Sequence, residues 1–580
     1  MNSTTNGTSR RRLACMVIAS LVLVAAYLAA PMSAQAVETY NLYVSGIQVT
    51  SDNASDVLGD RTVSYDATTN TLTLNGARLE APASGDDVAL RNNMDELTIQ
   101  LMGDNTATSS RSRAIYSIGA TSLTFVGVDG GTLAATSPVG NAIQIDNGAD
   151  AIIDGCTIWA NSGDGGGLLA PTGNLKIQNN ANVYVEGDQN PTTPYSSSAL
   201  VGRDGITISD SYVEVFTSAG EANAIHTGGS ISIENSTVEV ALTSDPYYPA
   251  LYCIGSAIIT NSTIEAECAA NKSIYVLDSL TVADSRVTAT STEDTAIYVA
   301  TTLSIASSTV TATSGDPNGS PAIYAGPISV SASTVTARGG LRPYGALYIE
   351  PTAGKLVELK VDEANYDGSA AAHYDGGGGS PYNAATTVTG SGVEQIRSYR
   401  YVYIGEHVHE GVMATCSAPA TCDDCGRAYG TTDPNNHAWG EPTWSWAEDG
   451  SACTATITCA HDASHTQTAQ ATITSSVQTP ATCTEQGVTA YAATVTVNGT
   501  TYTSTKTLAN IPALGHSFEN GACTVCSAAD PDAQPAKQDA DNNLVATGDE
   551  NSALVGTLLA AGAVAVTTGA ILRRKAQNSR

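Results

Sequence analysis

A small residue followed by isoleucine or leucine returns again and again through the middle of this chain. The apolar members are Ile115, Ile143, Leu168, Leu200, Ile225, Leu251, Ile274, Ile297, Ile323 and Leu347. Their separations run from 23 to 32 residues and tighten to 23–26 after Leu200. A near-fixed period in this range predicts a solenoid, because a unit this short buries only a few side chains and needs its neighbours to complete a core. Within one repeat, Ala224-Ile225-His226, Ser230-Ile231-Ser232-Ile233 and Thr237-Val238-Glu239-Val240 are three short alternating runs. Alternation of period two predicts strands, so three strands per coil are expected. Stacked coils place each strand parallel to its copy, about 4.8 Å away.

A second column supports the same winding. Ser211, Ser236, Ser262, Ser285, Ser308 and Ser333 fall between the second and third runs, preceded by Asp210, Asn235, Asn261, Asp284, Ser307 and Ala332. Asn and Asp tolerate left-handed backbone and bond to nearby main chain, as a sharp corner requires. Only three Phe occur in 580 residues, which suits an elongated β-protein with a thin core. The expected class is all-β: a right-handed parallel β-helix followed by small Cys/Trp-rich β modules. Over roughly residues 70 to 350, period and columns resemble the pectate-lyase-like group. The expected boundaries are 76–405 for the β-helix and 37–75 for a leader capping its open end, where an uncovered coil would expose unpaired backbone. That leader also resembles the leaders of gut-bacterial surface proteins described as carbohydrate-binding.

The resemblance implies no catalytic set. Hydrolases of the pectate-lyase-like group carry paired Asp on neighbouring coils, a Gly-His-Gly and an Arg-x-Lys, and the chain has no such set. Asp86-Asp87 is the one Asp-Asp pair in the repeat region, and His226 the one His in the regular coils. No catalytic residue is assigned, and an enzyme is not the expected reading. The outward neighbours are more suggestive. Tyr252, Tyr275, Tyr298, Tyr324 and Tyr348 each follow the inward Ile or Leu of their coil, so period two turns them outward on one face. Aromatic faces stack on sugar rings while the hydroxyl meets polar groups, although a stripe of stacked rings is also stabilising without any ligand.

After Gly376–Gly379 the repeat stops, and eight of the twelve Cys and three of the four Trp fall within residues 416–526. Cys416, Cys422-x2-Cys425 and His437, with His407 and His409 nearby, form one candidate cluster; His516 and Cys523-x2-Cys526 form another. Cys-x2-Cys with further Cys or His is a tetrahedral zinc pattern. An exported chain with an even number of cysteines fits disulfides equally well, with Cys459–Cys483 one possible pair. Both readings stand at this point. His461 and His465, four apart, lie in a turn-like stretch, which argues against a helical metal pair. Residues 406–528 are read as stalk modules and 529–543 as a linker.

The two ends point outside the cell. Arg10–Arg12, an apolar run from Leu13 to Ala30 and Ser33-Ala34-Gln35-Ala36 have the layout of a secretory signal peptide, 1–36. Leu544-Val545-Ala546-Thr547-Gly548, an uncharged run from Ala553 to Leu572 and Arg573-Arg574-Lys575 resemble the LPxTG-like sorting signal of Gram-positive cell-wall proteins. That resemblance implies sortase and peptidoglycan as partners, with recognition of Leu544 and cleavage between Thr547 and Gly548. Val545 departs from the proline of the pattern. A net charge of −31 argues against nucleic acid. The expected protein is an adhesin-like or carbohydrate-binding surface protein contacting glycans or host material, with a tethered polysaccharide lyase or hydrolase and a structural coat component as alternatives.

Overall fold

The structure is a computed structural model that describes residues 36–534, apart from 85–86, 120, 188–197, 219–221, 244–246, 364–365, 375–381 and 384–385. The predicted signal peptide, save Ala36, and the predicted sorting signal with Leu544, Thr547 and Gly548 lie outside the described residues. Among the described residues, no helix is long and apolar enough to cross a membrane. Two units are distinguished: residues 36–412 with 421–429, and residues 413–420 with 430–534.

The first unit is a parallel β-solenoid. Its regular coil has three strands, as in Ile225–Thr227, Ser230–Glu234 and Thr237–Leu242. Each stacks on its copy one coil on: Ile225 faces Leu251, Ile231 faces Ala257 and Val238 faces Ile264. Inward positions are buried, so one continuous core runs through the stack. The predicted first-face column extends back to Leu90, which pairs with Ile115.

Parallel winding spans 71 to 338. At the leading end, Thr39–Val44 and Ile47–Thr50 form a hairpin that lies antiparallel to Leu90–Asn92 and covers the edge of the first face. Thr71–Asn75, placed in the cap by sequence, already forms a rung beneath Glu96–Thr108. At the trailing end, Tyr401–Glu406 runs antiparallel to both Thr334–Arg338 and Val357–Asp362. The leading edge of the first face and the trailing edge of the third are thus paired with strands of opposite direction, which satisfies backbone groups those edges would otherwise leave exposed.

The corner column behaves as its residue types require. Asp210, Asn235, Asn261, Asp284, Ser307 and Ala332 all have φ between 47° and 50°. The serine after each corner is buried and makes two bonds. Ser236 Oγ donates to the Glu234 carbonyl at 2.7 Å and accepts the Ser211 N–H at 3.0 Å. The same pair of bonds repeats at Ser262, Ser285, Ser308 and Ser333. Asn261 Nδ2 bonds Asn235 Oδ1, and Asn235 Nδ2 bonds Asp210 Oδ1, so amides form a parallel ladder outside the hydroxyls.

The final coil departs from the predicted spacing. Ile323 pairs with Leu341, not Leu347, and Leu347 stacks on Ile328 in the second face. Gly339 and Gly340, with φ of 116° and 103°, return the chain to the first face without a loop, shortening the last lap.

The second unit is built from small antiparallel sheets. Thr443–Trp446, Cys453–Thr458 and Thr466–Gln470 form one; Thr472–Thr479, Gly487–Val497 and Thr500–Ile511 form another. Phe518–Glu519 and Ala522–Cys523 make a final short hairpin. Ala455, Ile457, Ala493 and Val495 are the buried aliphatic side chains of these sheets, too few to hold such modules by burial alone.

Candidate functional site: an aromatic groove and three Cys/His clusters

The outward first-face residues stack in register. His226 pairs with Tyr252, Tyr252 with Tyr275, Tyr275 with Tyr298, and Tyr298 with Tyr324. Successive ring centroids are 5.3, 5.3, 4.7 and 4.8 Å apart. Tyr348 lies elsewhere, opposite Ser329 in the second face, because the shortened last lap moves its strand off the column. Tyr344 closes the stripe instead, 4.3 Å from the Tyr324 ring. The predicted stripe therefore loses Tyr348 and gains His226 and Tyr344. Part of each ring is spent on its neighbours, so the stripe alone is mainly a stabilising stack.

At the His226 end the stripe opens into a groove of about 510 Å³, lined among others by Arg203, Asn223, His226, Tyr247, Tyr252 and Tyr275. Asn223 is 5% exposed; its Nδ2 reaches Ser198 Oγ at 3.5 Å, and its Oδ1 has no hydrogen-bond partner. A buried acceptor left unmade is costly and marks a place where a ligand hydroxyl is favoured. Among the described residues, Arg203 has no carboxylate partner, although the chain carries 56 acidic residues. Burial, and then the Arg203 guanidinium, push His226 below its ordinary value, which favours the neutral imidazole. Among the described residues, those lining the groove include no Asp or Glu. Sequence reading missed this groove. A smaller hollow of about 270 Å³ on another face is lined by Trp159, Tyr184, Glu214 and Phe216.

The cysteine-rich segments hold three Cys/His clusters that can take a metal ion, and the partition differs from the predicted one. His407, His409, Cys422 and Cys425 converge, as do Cys483, His516, Cys523 and Cys526; Cys416 and His437 leave the first group and meet Cys459. The eleven described cysteines are all free of disulfides. Cys416 and Cys459 sulfurs are 3.6 Å apart, and Cys483 and Cys523 sulfurs 3.7 Å, against about 2.05 Å for a disulfide. Cys459 and Cys483 belong to different clusters. Cys453, which lies in none of them, is a buried member of its strand.

The sulfur–sulfur separations match the edges of a tetrahedron around zinc, while the sulfur–nitrogen ones are about 0.3–0.4 Å shorter. Bonds of about 2.3 Å to sulfur and 2.0–2.1 Å to nitrogen give edges of about 3.8 Å for S–S and about 3.6 Å for S–N. The S–N separations are 3.2 Å for Cys422–His407, and 3.3 Å for both Cys425–His409 and Cys526–His516. Both Cys-x2-Cys knuckles make the same turn. The N–H four residues after the first Cys returns to its carbonyl, at Gly426 and Ser527, and both of these residues have positive φ. Glu358 Oε1 lies 3.9 Å from His407 Nδ1, behind a ring whose Nε2 faces Cys422.

The thiols of the clusters ionise unequally. Burial opposes ionisation of Cys422, but the Cys425 N–H and the imidazoles of His409 and His407 bring it down to about 5. The N–H groups of Cys526 and Val525, and then His516, lower Cys523 to about 5. Burial, and then the neighbouring thiols Cys526 and Cys523, raise Cys483 to about 11. Clusters that ionise one thiol readily and resist the next are stabilised by a positive ion at their centre. Comparison with known proteins gives no assignment: no family model, curated protein or solved structure matches the chain.

Proposed function

We propose that this chain is a binding protein displayed at a Gram-positive cell envelope, whose solenoid takes a carbohydrate in the groove beside the tyrosine stripe. The groove carries this reading: tyrosine faces for a sugar ring, the unpartnered Asn223 Oδ1 for a hydroxyl, and the neutral imidazole of His226. Arg203, without an ionic partner among the described residues, favours a sugar bearing a carboxylate or sulfate. Binding of the full chain to a glycan array tests the reading. Tyr247→Ala/Tyr252→Ala is expected to weaken binding about tenfold or more, since ring contacts of about 0.5–1.5 kcal/mol each are removed. Arg203→Ala is expected to act selectively on acidic glycans. Undiminished binding by both variants would remove the groove as the site.

The Cys/His clusters, on this reading, hold structural zinc. Ligand identity, edge lengths and the knuckle turns support zinc over disulfides. The resemblances of the two ends to a secretory signal and a sorting signal support display at the surface, and the pectate-lyase-like resemblance of the coils supports a carbohydrate partner. Thr547→Ala is expected to abolish the fraction of the chain linked covalently to peptidoglycan. Identical fractionation of this variant and the unaltered chain would instead make the C-terminal segment a plain membrane anchor.

A further inference from the structure

Cys416, His437 and Cys459 supply three ligand atoms, one short of a closed zinc site. Three protein ligands leave a coordination position open, as in catalytic sites; four close it. The local chain decides between these. His465 Nδ1 lies 3.3 Å from Cys416 Sγ, the same separation as the Cys–His edges at Cys425 and Cys526. Its ring stands at 83° to that of His437, with centroids 5.0 Å apart. Nδ1 of His437 is buried and has no hydrogen-bond partner, a ligand-capable lone pair left unsatisfied.

The backbone around these four residues is fixed. The Cys459 N–H donates to the His465 carbonyl at 3.0 Å, closing the turn that carries both. Asp462 Oδ1 accepts the Ser464 N–H and hydroxyl inside it. The Ala460 N–H donates to the Ala438 carbonyl at 2.7 Å, and Trp439 bridges Cys459, which sets His437 beside Cys459. The Cys416 N–H donates to the Asn436 carbonyl at 3.0 Å. The His461 N–H points at Cys459 Sγ at 3.3 Å, while its own imidazole turns away to the Asn436 carbonyl. One histidine of the turn is thus aimed into the cluster, and the other braces it.

We infer that His465 completes Cys416, His437 and Cys459 into a third four-coordinate zinc site, closed to solvent ligands and structural in role. This rests on the zinc reading of the clusters, and the test separates the two. Metal content of the full chain, dialysed against zinc-free buffer, is measured with competition by a chromogenic chelator. The unaltered chain is expected to retain three zinc ions. His465→Ala is expected to retain two, with the third weakened more than about 100-fold, beyond the 10–100-fold typical of losing an outer partner. His465→Cys is expected to restore the third, and His461→Ala to keep all three. Should His465→Ala fail to accumulate, cobalt titration of the unaltered chain decides: saturation at three equivalents with tetrahedral absorption bands supports the site. Saturation at two, or a His465→Ala variant that holds three ions as tightly as the unaltered chain, overturns it. A chain that binds no zinc at all overturns the zinc reading itself.

Discussion

Treating the folded chain with a high-affinity chelator is expected to unfold residues 413–534 while the coils of residues 71–338 keep their β-sheet signal. The asymmetry follows from how each region is held. The coils share one core of fully buried Leu, Ile and Val side chains, which needs no ion. The C-terminal sheets bury Ala455, Ile457, Ala493 and Val495 together with ligand cysteines. That is little apolar surface to set against the conformational entropy of ordering the chain, about 1–2 kcal/mol per residue of backbone. A structural zinc contributes on the order of 10–16 kcal/mol at neutral pH, and that energy is folding energy. Limited proteolysis with mass mapping reads the result: new cleavage sites after chelation should lie beyond residue 412, and zinc should remove them. Cleavage that is indifferent to chelator would mean that zinc does not hold these modules.

Ile274→Asp is the substitution expected to damage the solenoid most. Ile274 is 1% exposed and stacks between Leu251 and Ile297 in the first face. A carboxylate there has no partner, and the effective cost of burying it is several kcal/mol. Native stability is only about 5–15 kcal/mol in total, so the coils are expected to unfold at much lower denaturant or fail to accumulate. Ile258→Asp provides the contrast. Ile258 is 48% exposed on the outside of the second face, and its change is expected to stay within about 0.5 kcal/mol. Chemical denaturation followed by circular dichroism compares them. Equal stability of the two variants would mean that the assigned inward and outward registers are wrong.

The solenoid was legible because its information is periodic. Ile, Leu and Val columns, Asn/Asp corners and the serine after each corner recur at one spacing, and each has a single physical role. The errors lie where the period breaks. Gly339-Gly340 shortens the last lap, so extrapolating the spacing put Leu347 and Tyr348 in columns they do not join. The groove was hidden for a different reason. Arg203 comes from one coil and Asn223 and His226 from the next, and together they belong to no local motif; the pairing of Val201 with His226 helps bring their segments together. A visible hint was that His226 sits at the head of the tyrosine register.

In the C-terminal modules, sequence gave the ligand types but grouped them by proximity along the chain. Cys416 falls between His409 and Cys422 in sequence, yet its N–H is held by Asn436 and its sulfur faces Cys459. Reading residues 461–465 as a turn was sound, but a turn, too, can present a ligand, as His465 does. The disulfide alternative was undecidable from an even cysteine count; in the structure the Cys416–Cys459 and Cys483–Cys523 sulfurs lie 3.6 and 3.7 Å apart.

The serine ladder has a consequence for how such a chain can change. From Ser236 to Ser333, each corner hydroxyl binds one carbonyl of its own lap and one N–H of an adjacent lap, so these laps carry both halves of the same joint. A duplicated lap inserts between two existing ones with its joints already matched, and a deleted lap leaves two ends that still fit. Gene duplication or slippage can therefore alter the length of the solenoid by about 4.8 Å per lap without redesigning either end. Only the terminal pieces, the leading hairpin and the trailing antiparallel strand, are unique parts that cannot be copied into the middle.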